Sequence, residues 1–325
     1  MNKPFLLKPA YKDYLWGGTR LNDDFAKDID VYPLAETWEC STHPDGPSIV
    51  ASGEFSGESL SKVIKEHPEF LGEHLAGADE LPILVKFIDA KEDLSVQVHP
   101  DDEYARIYEN GKRGKTEMWY VLDASKEASL IYGLRHTLSG EQLKQAACDG
   151  SIEKYMQKVP VRKDDVFFIE AGTIHAIGKG ALIAEIQENS NLTYRLYDYN
   201  RTDSKGNKRE LHIEKALQVA NLNVEKEPKQ PMRILNYKPG MANELLGRCK
   251  YFEVYRMLIN TERRQKVTYS ADSVGFKVLL CINGCGVLSF GKEKLNIYKG
   301  DCIFIPAASE TITIHGCMQF LDIRG

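Results

Sequence analysis

The sequence predicts a mainly β protein, built as two β-barrels with a few helices packed around the first. Three observations carry this expectation. From residue 82 onward, runs rich in β-branched and aromatic residues are separated by glycine and proline turns, which is the punctuation of strands. Leu94, Val96 and Val98 alternate with Ser95, Gln97 and His99, a period of two that sends the two sets to opposite faces of a strand. Finally, Lys163-Asp164-Asp165-Val166-Phe167-Phe168-Ile169-Glu170-Ala171 is paralleled by Lys299-Gly300-Asp301-Cys302-Ile303-Phe304-Ile305-Pro306-Ala307, so one strand-and-turn pattern occurs twice.

Along the chain, Ser59 to Leu75 carries Leu60, Val63, Ile64, Phe70, Leu71 and Leu75 at helical spacing, with Pro68 interrupting. The strand at Asp93–Asp102 follows, then a second at Gly114–Leu122, ending in Trp119, Tyr120 and Val121. Ser139-Gly140-Glu141-Gln142 is a capping-box pattern opening a helix toward Ala147, with a second short helix after Ser151. Asp164–Gly178 reads as a strand, a glycine turn and a strand opening with His175, and His212–Leu222 as a helix. Residues 224–240 carry Pro228, Pro231 and Pro239 among charges, the composition of a linker or an extended crossing segment. Strands resume from Tyr251, with hairpin turns expected at Asn283-Gly284 and near Gly291. The expected division is a first domain over 1–230, with helical segments at about 58–78, 139–158 and 212–222, and a C-terminal domain over 231–325.

The 325 residues suffice for two domains with substantial cores. A net charge of −5 gives no footprint for nucleic acid or anionic membrane. No stretch approaches the roughly 20 apolar residues of a membrane helix, and the N-terminus has no sustained apolar run before a cleavage site, so the expected location is cytoplasmic. Seven cysteines, an odd number, argue against a complete disulfide framework. Cys281, Cys285, Cys302 and Cys317 cluster late in the chain but include no Cys-x-x-Cys pair, so buried thiols are expected there rather than a metal site.

Gln97 and His99 share one strand face, and Lys115 and Glu117, again two apart, share another. Facing water they would be ordinary; facing a barrel interior they must be paired or ligate something. Gln97, His99, Glu117 and His175 together offer an amide oxygen, two imidazoles and a carboxylate, a set suited to a divalent first-row ion such as zinc.

Four blocks in order, SVQVHPDD, GKTEMWYVL, AGTIHAIG and EIQENSNLTYRLYDYNR, resemble the signature motifs of type I phosphomannose isomerases, as do Trp16-Gly17-Gly18 and Ala35-Glu36-Thr37-Trp38. The resemblance covers most of residues 5 to 215 and is to the short bacterial form, without the large helical insertion of longer members. The duplicated segment resembles the second signature motif of cupin jelly rolls, which makes each expected barrel a cupin. In the second copy Ser309, Glu310 and Thr311 stand where the first copy has His175, so the C-terminal cupin is expected to lack metal ligands and to support the first.

The resemblance implies one Zn²⁺ per chain on Gln97, His99, Glu117 and His175, and a reaction interconverting mannose 6-phosphate and fructose 6-phosphate. That chemistry moves a proton between C1 and C2 through an enediol while the adjacent oxygens are stabilised. Lys115 and Glu185 both match active-site positions of the family, and the sequence leaves the general base open between them; a lysine beside a metal cation is expected to have its pKa lowered. Arg195 and Arg201 match cationic positions, Arg201 being assigned to substrate binding at the phosphate and Arg195 to the catalytic set. Trp16 and Glu36 are the remaining substrate-binding candidates. The expected partner is a small sugar phosphate, with no nucleic acid and no membrane, on a monomer or weak homodimer. Two other readings exist. A cupin metal oxygenase would need a set richer in histidine, and a non-catalytic sugar-binding cupin would leave Lys115, Arg195 and Arg201 without a task.

Overall fold

In the computed structural model, which describes residues 2–202 and 205–325, the chain is mainly β, with short helices. The strands form three sheets. A six-stranded antiparallel sheet runs, in spatial order, Val166–Ile169, Glu117–Ala124, Ala181–Glu188, Ile83–Asp89, Glu36–Cys40, Ala10–Lys12. A five-stranded sheet runs Tyr194–Tyr197, Val96–Val98, His175–Ile177, Ser129–Leu134, Met156–Pro160. The third sheet has ten strands, most of them from Asn236 onward.

The six-stranded sheet is covered on both faces, which is why Ile83–Asp89 and Ala181–Glu188 are buried at every position. On one face Val85, Phe87, Met118, Ala184 and Ile186 join Val278, Leu280, Phe304, Leu321 and Ile323 of the ten-stranded sheet in one apolar cluster. Alternation then turns Lys86, Glu117 and Glu185 to the opposite face, toward the five-stranded sheet. There Ile88, Trp119, Val121 and Ile183 pack with Ile177 and Leu130 around the polar residues. The polar row is therefore interior.

The helices follow their sequence signals closely. Ser59 caps Leu60–Glu66, and Pro68 opens a separate 3-10 turn, Pro68–Leu71. Ser139 and Gln142 form the full capping box of Gly140–Asp149. The 3-10 turn Ser151–Lys154 follows; the expected helical span then gives way to the strand Met156–Pro160. Leu143, Ala146 and Ala147, together with Ala216 of the helix Ile213–Val219, cover the outer face of the five-stranded sheet through Val96, Val98, Ile131 and Leu196. The helix Asp102–Tyr108 was not expected, although Asp101 caps it by accepting from the Tyr104 amide at 2.8 Å.

Several expectations need correction. Asn283-Gly284 is no hairpin: it lies inside the 14-residue strand Lys277–Phe290, at a register shift after Cys281. The glycine serves close strand approach, because a Cβ at Gly284 would lie 2.0 Å from the Cys317 carbonyl oxygen and its φ is +81°. The other expected turn, near Gly291, is found at Gly291-Lys292, between paired Phe290 and Glu293. Cys281 and Cys302 are buried thiols, but Cys285 and Cys317 are exposed and opposite one another, because the strand leaves the core over residues 283–287 before Leu288 re-enters it. The chain also crosses the expected boundary near residue 230: Phe5–Lys8 pairs with Cys302–Ile305, tying the N-terminus into the ten-stranded sheet. The 224–240 segment is an extended crossing, held where the Gln230 side chain accepts from the Val166 amide at 2.7 Å. No helix among the described residues is long and apolar enough to cross a membrane.

Candidate metal centre

Strand alternation and sheet register place the residues. Gln97 lies directly opposite His175 on the neighbouring strand, and Arg195 lies opposite Gln97 on its other side. From the facing sheet come Glu117, and Glu185 directly opposite both Lys86 and Trp119. His99, Glu117 and His175 are buried, and each offers a ligand atom within 4.8 Å of the others.

The polarity of these atoms favours a further positive charge among them. His175 Nδ1 lies 2.8 Å from the Thr173 carbonyl oxygen, which fixes the proton on Nδ1 and leaves Nε2 with a lone pair. That Nε2 faces Glu117 Oε1 at 3.3 Å, and neither atom has a hydrogen-bond donor. Two acceptors set face to face in a buried site repel unless a cation or a proton lies between them. Burial pushes His175 down to about 4 and His99 well below the ordinary imidazole range, with Lys115 adding to both shifts, so both rings are neutral ligands at neutral pH. The donor set fits a divalent metal.

Lys115 Nζ is 2.7 Å from Glu117 Oε2, 3.3 Å from His99 Nε2 and 3.8 Å from Glu185 Oε1. Burial lowers its pKa, but Glu117 and Glu185 outweigh that and raise it. The chain's own groups thus act opposite to the expected lowering, and a cation drawing on Glu117 would weaken that pull. Burial and Glu185 push the Glu117 carboxyl up to about 7. Burial works against ionised Glu185 too, but Lys115 and Lys86 hold it below the usual carboxylate range, and Trp119 Nε1 donates to its Oε2 at 2.9 Å.

Beside this cluster opens a cavity of about 280 Å³. Gln97, Lys115, Glu185, Arg195, Trp16 and Glu36 all line it, so the structure brings six of the expected residues to one opening. Glu36 accepts from Trp38 Nε1 at 2.8 Å, and Trp16 packs against Tyr14 with ring centroids 5.6 Å apart. Arg201, the residue expected at the phosphate, is absent from the lining; its guanidinium donates to the Asp93 carbonyl and to Asp198, each at 2.5 Å. Arg209 lines the cavity in its place, with Nε 2.8 Å from Asp198. Sequence reasoning missed Arg209 and Lys86. Lys86 had a signal, a single lysine within the apolar run Ile83–Ile88; it lies 3.3 Å from Glu185. Arg209 sits in a charged loop, where a cation carries no such signal.

Fold and site together define a mainly β cupin protein with a buried metal-capable centre beside a cationic cavity. Comparison with known proteins then gives the family. Residues 5–128 match the family model for the phosphomannose isomerase type I catalytic domain, and residues 243–324 that for the mannose-6-phosphate isomerase cupin domain. Mannose-6-phosphate isomerase ManA of Bacillus subtilis (strain 168) is 38% identical over 307 residues, covering 94% of this chain and 93% of its own. A crystal structure of the Bacillus subtilis mannose 6-phosphate isomerase superposes with a TM-score of 0.90 at 35% identity, covering 100% of both chains. A zinc-bound mannose 6-phosphate isomerase, 16% identical, shares the fold at a TM-score of 0.77 over 99% of each chain. The chain belongs to the type I phosphomannose isomerase family.

Proposed function

We propose that this enzyme interconverts mannose 6-phosphate and fructose 6-phosphate through an enediol, with one Zn²⁺ held by Gln97, His99, Glu117 and His175. The observation that carries this reading is the buried pair of facing acceptors, His175 Nε2 and Glu117 Oε1, beside a cavity lined by arginines. When bound, the ion supplies Lewis-acid polarisation of the sugar oxygens.

The chain's own groups do the rest. Lys115 moves the proton between C1 and C2, because it lines the cavity and touches the ligand set. Glu185 is the weaker candidate for base: Lys115, Lys86 and Trp119 hold its pKa below the usual carboxylate range, which lowers its basicity, so its role is to orient the lysines. Arg195 and Arg209 bind the phosphate through charge-assisted bonds. Arg201 acts behind them, sharing Asp198 with Arg209. Trp16 and Glu36 border the sugar. The reading includes a cytoplasmic location, since a charged sugar phosphate does not cross a bilayer unaided, and a monomer or weak homodimer.

The test is metal analysis of the purified protein with a coupled assay on mannose 6-phosphate, before and after chelation. Turnover is expected to vanish with the metal and return with added Zn²⁺; undiminished turnover in metal-free protein would overturn the proposal. Lys115→Ala, with metal retained, is expected to lower kcat by about 10²–10⁴, and near-normal turnover would reject the lysine.

A further inference from the structure

Lys115 stands on a short segment, residues 114–116, between the helix Asp102–Tyr108 and the strand Glu117–Ala124. Every amide of that segment is tied down. Gly114 donates to Asp102 Oδ1 at 3.0 Å, Lys115 to the Pro100 carbonyl at 3.0 Å, and Thr116 to Glu188 Oε1 at 2.8 Å. The Glu188 amide returns a bond to the Thr116 carbonyl at 3.1 Å. Gly114 packs so tightly that a Cβ there would lie 2.5 Å from the backbone of Asp101 and Asp102.

The anchor of this segment is itself held from the far end of the chain. Tyr251 donates its hydroxyl to Asp102 Oδ2 at 2.8 Å, and Lys250 Nζ lies 3.1 Å from the same oxygen. Burial works against the Asp102 charge, but the Tyr251 hydroxyl and the Gly114 amide hold its carboxyl down at about 2. Asp102, Glu188 and Tyr251 do not line the cavity. They cannot touch a substrate there, yet they fix the backbone that carries Lys115.

We infer that Asp102, braced by Tyr251 from the C-terminal part of the chain, is a positioning residue that sets where the Lys115 amine meets Glu117 and the cavity. This rests on the reading of Lys115 as the proton-transfer group. It gives the C-terminal part a share in catalysis without a ligand of its own.

The experiment uses the full-length, metal-loaded enzyme and compares Asp102→Ala, Asp102→Asn and Tyr251→Phe for kcat, KM, metal content and Tm. Asp102→Ala is expected to lower kcat about tenfold, the scale of a displaced catalytic group, with KM and metal content unchanged. Asp102→Asn keeps an acceptor for the Gly114 amide and is expected to restore most of that loss. Tyr251→Phe removes one hydroxyl and is expected to lower kcat about twofold to threefold; it keeps the inference testable if Asp102→Ala does not fold. Unchanged kcat in Asp102→Ala and Tyr251→Phe overturns the inference, as does a loss that only tracks metal content or folded fraction. Lys115→Ala, run alongside, separates the two failures. Near-normal turnover there rejects the lysine reading, whereas its inactivity beside an unaffected Asp102→Ala rejects the bridge alone.

Discussion

The two copies of the repeated strand pattern do different work. Val166–Ile169 leads through a glycine turn into His175–Ile177, whose first side chain is fully buried and points at Glu117. Cys302–Ile305 leads instead to Ser309, whose hydroxyl accepts from the Ala271 amide at 2.9 Å and closes a loop. The interior behind the second copy is largely apolar, filled by Leu279, Ile303, Ile305, Ile312, Ile314 and Phe320, with the buried Asp322 satisfied by the Tyr269 hydroxyl at 2.6 Å and by Arg324 at 2.9 Å. The interior behind the first divides its apolar residues around Lys86, His99, Lys115, Glu117, His175 and Glu185. An apolar filling is stable without partners, whereas buried charges need one another or an ion. One architecture therefore gathers its buried charges mainly in one half and its apolar filling in the other, with the Tyr251–Asp102 contact as a bridge between them.

The strongest attack on this comparison removes a proposed ligand from the first copy. His175→Ala is expected to lower turnover of mannose 6-phosphate by about a thousandfold or more, because several kcal/mol of charge stabilisation depend on the ion. Metal analysis should show the protein depleted, while the second copy stays folded. Turnover near that of the parent would erase the distinction between the halves. The mirror experiment is Phe320→Ala, at a side chain with no exposed surface. It is expected to cost about 3–5 kcal/mol of stability by denaturant titration, with metal content and the kcat of the folded fraction unchanged. Loss of metal on this substitution would mean that the apolar half also shapes the site.

Glu188 lies where the two halves meet, and its titration offers a gentler probe. Burial, with the Asp102 charge adding, pushes its carboxyl up to about 7 from an ordinary value of 4.5. A raised carboxyl favours folding fully below pH 4.5, and that contribution is lost as pH climbs through 7. Glu188→Gln imitates the protonated form and keeps an acceptor for the Thr116 amide. The variant should therefore gain on the parent between pH 5 and pH 8, by up to about 3 kcal/mol. Thermal unfolding of both chelated proteins at the two pH values measures it; parallel curves would refute the shift.

Much of this was legible in the residues. Period-two alternation marked Gln97 with His99 and Lys115 with Glu117 as shared faces, because strand geometry fixes that relation locally. The capping box at Ser139 and the break at Pro68 are likewise local and fell where expected. What could not be read depended on distant chain. Asn283-Gly284 has the composition of a hairpin, and only the neighbouring strand at Cys317 makes it a point of close approach. The pairing of Phe5–Lys8 with Cys302–Ile305 joins segments nearly the whole sequence apart, and nothing local announces it. Arg201 and Arg209 are alike as cations; what distinguishes them is the Asp93 carbonyl, which takes up the first and leaves the second at the cavity.

That last distinction gives the smallest and most specific prediction. Arg201 and Arg209 both bind Asp198, whose charge they hold below the usual carboxylate range against the effect of burial. Only Arg209 of the two reaches the cavity lining. Arg209→Ala should therefore raise KM for mannose 6-phosphate about tenfold, the low end for a charge-assisted bond already shared with a carboxylate. Its kcat should change little, and weak turnover of free mannose should not change at all, since that sugar offers no phosphate to lose. Arg201→Ala should have the smaller effect on KM, because it acts only by loosening Asp198. If Arg209→Ala impairs both sugars equally, the arginine serves the sugar ring or the fold rather than the phosphate. If Arg201→Ala raises KM more than Arg209→Ala does, the phosphate lies on the other side of Asp198, and the charged half of the molecule extends further than its cavity.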